Sequence, residues 1–218
     1  MRSAAFDILR EAIIRGELEP GEAIKDIELA ARMGLSRTPV REAIARLADA
    51  GLIELKPGVY TRVALLDRRD VQATLDILRV LDDLAVRTAV PTLTADDLAE
   101  MRDANARFAD AVALQDVPAA LDADDAFHGV LVRSSGNPVL ARLIDQLHPT
   151  IHRILFRKFS TLLGGRDTVE HHNELVELCA KGDASAAARR SADHWQRLGG
   201  LIDELFENRD LDTSRSSG

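Results

Sequence analysis

Asp124 and His128 stand four residues apart in a stretch with helical periodicity, so a helix places both side chains on one face, with Leu121. His172 and His194 come from two later helical stretches. One carboxylate and three imidazoles drawn from three helices are a donor set for a divalent cation, with zinc first and nickel, iron or cobalt as alternatives. Spacing alone leaves the set open, because His148, His152 and His171 offer the same donors. Four protein ligands around an ion of expandable coordination leave room for a small carboxylate to chelate it. The same residues would also serve a metalloenzyme acting on a small acid. Glu170, Glu174 and Asp125 are then the nearby bases, none within a recognisable catalytic signature. In a third reading the histidines are structural and the helices only dimerise.

A second group of residues has chemistry suited to DNA. In Ser36-Arg37-Thr38-Pro39-Val40-Arg41-Glu42-Ala43-Ile44, Ser36 or Thr38 caps a helix whose first turn tolerates Pro39, and Val40, Ile44 and Leu47 share one face. Arg37 and Arg41, at i and i+4, share another. A short helix from Asp26 and a tight turn, Met33-Gly34-Leu35, precede them. Arginines near the start of a helix set at an angle by a glycine turn have the geometry of helix-turn-helix reading of the major groove. Thr38 and the helix N-terminus add phosphate contacts.

The elements that must position these groups follow from the pattern around them. Residues 4–15 read as an amphipathic helix with Phe6, Leu9 and Ile13 inward, Ser3 as N-cap and Gly16 as stop, followed by a turn over 18–22. After the helix-turn-helix, 51–55 and 59–63 read as strands joined by Lys56-Pro57-Gly58, the wing of a winged helix. From Asp67 the pattern is helical without strands, over roughly 68–89, 95–115, 118–134, 139–163, 168–181 and 184–207, an all-α bundle. Its punctuation is a capping box from Thr94 to Asp97, Pro118 and Pro138 at helix starts, a kink at Pro149, breaks at Gly164-Gly165 and Gly182, and a cap at Asp183. The chain is therefore mainly α. It divides into a winged helix-turn-helix domain over 1–66, a helical domain over 67–208 and a flexible polar tail over 209–218.

Charge must be divided by segment before it says anything about DNA. The chain carries a net −8, but residues 1–66 hold 10 Lys or Arg against 10 Asp or Glu, so the acidity belongs to the second domain. One cysteine, Cys179, excludes an internal disulfide and a cysteine zinc site, and points to a reducing, cytoplasmic compartment. The early residues are charged and amphipathic rather than a signal peptide, and no apolar run is long enough to span a bilayer.

Residues 8–64 resemble the winged-helix domain of the GntR family of bacterial transcription regulators. The resemblance rests on Arg15 to Glu22, on Glu28-Leu29-Ala30, on Ser36 to Ala43 and on Leu47 to Leu52. Residues 70–207 resemble the FCD effector domain of the FadR subfamily through Asp124-x3-His128, Ser135-Gly136-Asn137-Pro138, His172, Asp183 and His194. The resemblance implies a homodimeric, metabolite-responsive repressor or activator that binds operator DNA through Ser36, Arg37, Thr38, Arg41 and Gly58. It also implies a divalent metal on Asp124, His128, His172 and His194, beside a pocket for a small organic acid, with Arg79 as the arginine facing the acid. The chain departs from the family pattern at Ile27, where arginine is common, and at Val59-Tyr60, where the wing usually has Arg-Gly.

Overall fold

Glycine sets the angle between the two helices of the helix-turn-helix: Gly34, at φ +64°, ends the helix α2 (Asp26–Met33) in the left-handed region and turns the chain toward α3 (Arg37–Asp49). The structure is a computed structural model that describes residues 2–163 and 166–208. The breaks expected at Gly164-Gly165, the tail over 209–218 and the side chain of Ser3 lie outside the described residues. Helix α1 (Arg2–Ile14) packs across α3, and Leu9, Ile13, Val40, Ile44, Leu47 and Leu52 form a buried apolar core.

Ser36 occupies the N-cap of α3 but makes no side-chain capping bond. Pro39 is the third residue of that helix and has no N–H for the Ser36 hydroxyl to accept from, so the cap expected from sequence loses its main donor.

Strands β1 (Ile53–Lys56) and β2 (Tyr60–Val63) pair antiparallel, with Glu54 opposite Arg62. Pro57 and Gly58 sit at the turn, Val59 N–H bonding the Lys56 carbonyl at 2.9 Å, and Gly58 at φ +71° supplies the positive φ of a type II turn. Residues 21–24, expected only as turn and loop, line the free edge of β2: Ile24 N–H donates to the Thr61 carbonyl, Gly21 N–H to the Val63 carbonyl, and Val63 N–H to the Glu22 carbonyl.

The second part is helical. It contains α4 (Arg68–Ala89), a single 3-10 turn (Val90–Thr92), α5 (Ala95–Leu114), α6 (Val117–Ser134), α7 (Pro138–Arg157), α8 (Phe159–Leu162), α9 (Arg166–Ala180) and α10 (Ala184–Glu207). The punctuation has physical substance. Thr94 and Asp97 form a reciprocal capping box, and Asp67, Asp116, Asn137 and Asp183 accept N-terminal backbone N–H groups. The helix expected over 139–163 contains Pro149, as anticipated, but is interrupted at Lys158, whose non-helical φ of −124° and ψ of 28° separate α7 from α8. Pro149 is itself buried, and Ile151, Ile154 and Leu155 beyond it carry α7 onward in the core.

The two parts meet where α1 rests on α7. Arg153 of α7, only 3% exposed, donates from Nη2 to the Ala64 carbonyl at 2.6 Å, and burial, with repulsion from Arg157, pushes its pKa down to about 10. Leu66 is already part of the bundle core. Arg153→Ala should lower the free energy of unfolding by about 1–3 kcal/mol, because the buried carbonyl loses its donor. Urea denaturation at neutral pH would read this as an earlier midpoint with an unchanged slope.

Candidate functional site

The bundle interior consists of two apolar clusters, one containing Phe108 and the other Phe127. His172, fully buried on α9, lies between them: its ring stacks on Phe127 with centroids 4.0 Å apart and meets Phe108 edge-on at 5.5 Å. Asn105 of α5 fixes the tautomer. Its Nδ2 donates to the Val169 carbonyl at 3.1 Å and to Asn173 Oδ1 at 2.9 Å, so Oδ1 is the atom that accepts the His172 Nδ1 proton at 2.9 Å. The Nε2 lone pair of His172 is then left 3.4 Å from Asp124 Oδ1.

His172 Nε2, Asp124 Oδ1 and His128 Nδ1 are all buried and have no hydrogen-bond partner. One donor atom from each of these three residues falls within 4.8 Å of the others. Donors held about 2.1 Å from a tetrahedral ion stand roughly 3.4 Å apart, so this spacing suits a divalent cation. Buried polar atoms in an apolar interior are costly when left unpaired, and an ion held by these three residues would relieve that cost.

His194, on α10, lines the same cavity but stands outside this tight group. Its ring stacks on His171 at 4.3 Å and lies 6.5 Å from His172. His171 is buried with neither ring nitrogen bonded, and His148 and His152 gather instead around Asp125. Burial, reinforced by the positive groups nearby, pushes His194 down to about 3 and His171 to about 2, and holds His172 well below the ordinary imidazole range. Asp124 is raised by burial, which outweighs the pull of His128.

The cavity beside these groups measures about 190 Å³ and is lined by Asp82, Asp124, His128, His194 and Trp195 together with Arg10 of α1. Arg79 is exposed on α4 and is not among the lining residues; Leu78 and Asp82, one turn apart on that helix, are. Helical rotation explains the difference, since residue 79 lies about 100° around from 78. Asp82 is buried, accepts a hydrogen bond from the Ser191 hydroxyl, and is raised by burial against the opposing pull of His128. Asn105 and Asp82 were legible as lone polar residues on apolar helix faces, whereas nothing local marks Arg10.

On the reading head, Arg37 and Arg41 are exposed on one face of α3, as are Ser36 and Thr38. Asp26 of α2 stands between the arginines: Arg37 donates to its Oδ2 at 2.9 Å, and Arg41 Nε lies 4.0 Å away. The pairing with Arg37 holds the Asp26 carboxyl below its usual range. Arg46 instead lies over the Phe6 ring at 4.0 Å. Ile27 is 59% exposed at the rim of the groove that Arg37 and Arg41 line. In the wing Arg62 is bound to Glu54 at 2.7 Å, leaving exposed Lys56 as a cation beside the Gly58 turn.

A winged helix joined to an all-helical bundle with a polar cavity is the build of a DNA-binding transcription regulator. Residues 73–197 match the FCD domain, and residues 2–63 match the domain described as bacterial regulatory proteins, gntR family. The chain belongs to the GntR family and carries the FCD domain; it is a DNA-binding transcriptional regulator and not an enzyme, which removes the metalloenzyme reading. It is 34% identical over 133 residues to an HTH-type transcriptional regulator in the TAR-I ttuE-ttuC' intergenic region of Agrobacterium vitis, covering 60% of this chain and 78% of that protein. It is 29% identical to a probable D-xylose utilization operon transcriptional repressor of Paenarthrobacter nicotinovorans, covering 88% and 84%. The solved structure of E. coli McbR/YncC shares the fold, with a TM-score of 0.81 at 23% identity over 95% of this chain and 98% of that one. Among the described residues no helix is long and apolar enough to cross a membrane.

The depressed histidines have a measurable consequence. His194 stays neutral in the folded chain down to about pH 3, while the unfolded chain takes up a proton below about 6.5. Its contribution to stability is therefore full above about pH 6.5 and is lost as pH falls toward 3. His194→Gln should flatten the pH dependence by up to about 1.4 kcal/mol per pH unit in that window. The check is the difference in urea unfolding energy between metal-free wild type and variant at pH 7 and pH 5.

Proposed function

We propose that this regulator is a homodimeric, cytoplasmic repressor whose helical domain binds a divalent metal, zinc first, and a small organic acid that alters operator affinity. The observation that carries the reading is the meeting of donor atoms from Asp124, His128 and His172, each residue with a buried polar atom that has no partner, beside a cavity that Asp124 and His128 line. Asp124, His128 and His172 would hold the ion, with His194 from the same cavity wall as fourth ligand. The ion would supply a Lewis-acidic point for a carboxylate. Arg10 replaces Arg79 as the cation for that carboxylate, and being on α1 it belongs to the reading head. A ligand that bonds Arg10 has different affinity for different placements of α1, which is the condition for coupling ligand to DNA.

Operator reading falls to Arg37 and Arg41, with Ser36, Thr38 and the start of α3 on phosphate and the Gly58 turn bringing the wing to the backbone. Ser36 is free for this role because its hydroxyl caps nothing. A row of exposed apolar residues on α4, Ile77, Val80 and Leu84, favours a second copy packing there. The Paenarthrobacter relative's description as a probable repressor favours repression here.

Two outcomes test the proposal. On a duplex selected from a random pool by the wild-type protein, Arg41→Ala should weaken binding by about 1–3 kcal/mol at fixed salt; unchanged affinity removes Arg41 as a reader. Tag-free protein refilled with zinc should hold one ion more than His172→Ala does, and a metal content unchanged in that variant would sink the Asp124–His128–His172 site.

A further inference from the structure

Asp125 follows Asp124 on α6 but serves a different group. Its Oδ1 lies 3.0 Å from His152 Nε2 and 3.7 Å from His148 Nδ1. His148 and His152 are four apart on α7, so the helix puts both rings on one face, with centroids 5.0 Å apart. Donor atoms from the three residues all fall within 4.8 Å of one another. All three line the same cavity as Asp124 and His128.

An Asp125–His152 ion pair explains only part of this arrangement. The separation from Asp125 Oδ1 to His148 Nδ1 is too long for a hydrogen bond, so His148 is not bound into that pair. The two separations, 3.0 and 3.7 Å, bracket the roughly 3.4 Å between donors on a tetrahedral ion. Two imidazoles and one carboxylate are also the donor set of open divalent sites, which leave positions for water or a ligand. Carboxyl groups outnumber arginines on the cavity wall, where Asp82, Asp124, Asp125 and Asp145 stand against Arg10.

We propose that Asp125, His148 and His152 form a second site for a divalent transition-metal cation, beside the Asp124–His128–His172 group and in the same cavity. Because this site takes three protein ligands, a small anion in the cavity can complete its coordination and bond Arg10 as well. The second ion would thus tie the ligand to α7, the helix on which α1 rests. The site does not require the first to be filled, since the two share no ligand.

The test is metal stoichiometry and cobalt absorption on full-length, tag-free protein, stripped with chelator and refilled with zinc or cobalt, with helicity checked by circular dichroism. Wild type should bind two ions per chain. His148→Ala, His152→Gln and the near-isosteric Asp125→Asn should each reduce this to one, and His172→Ala should also leave one, with a different cobalt spectrum. If wild type binds a single ion that His152→Gln removes and His172→Ala keeps, the second site stands and the first falls. A single ion that survives His148→Ala, His152→Gln and Asp125→Asn but is lost with His172→Ala overturns the proposal and leaves Asp125–His152 an ion pair.

Discussion

Three unpaired lone pairs inside an apolar bundle are the constraint around which the helical domain is arranged. His172 is clamped between Phe127 and Phe108, and Asn105 holds its Nδ1 proton, so the Nε2 lone pair cannot turn to another partner. Asp124 and His128 complete the arrangement from α6. An apolar core tolerates such groups only when something satisfies them or when the surrounding packing is strong enough to hold them unpaired. Here the packing comes from two apolar clusters on either side of His172, while Asp124 and His128 also line the cavity. Burial also suppresses the charged forms of the histidines, keeping their lone pairs available at neutral pH.

The helical domain meets the winged helix through α7 and α1. Arg153 reaches out of the bundle to the Ala64 carbonyl, at the chain's exit from the wing, while Arg10 reaches from α1 into the cavity. Each arginine crosses the boundary in the opposite direction. The cavity wall and the contact between the two domains therefore share helices α7 and α1. At the far end, Asp26 pairs with Arg37 and lies 4.0 Å from Arg41 on the same face of the helix-turn-helix.

The sequence was most legible where local rules act within one element. Both domains, the helix-turn-helix, the hairpin and most helix limits follow from periodicity and from caps such as Thr94, Asn137 and Asp183, because these signals lie within a turn of the residues they govern. It was misleading where one local rule cancelled another. Pro39 removes the N–H that would make Ser36 a cap. The edge formed by residues 21–24 was invisible because pairing with β2 depends on a partner about forty residues away.

By itself the sequence determined the donor types, their helical spacing and the family: Asp124 with His128, His148 with His152, Arg37 with Arg41 are each settled by the pitch of a helix. Only the tertiary structure decided which donors meet. It gathered Asp124 and His128 with His172, stacked His194 on His171, gave Asp125 a separate pair of histidines, and turned Arg79 to solvent while bringing Arg10 to the cavity. The reason is physical: helical pitch fixes neighbours within one helix, but which face of one helix meets which face of another depends on packing summed over the whole core.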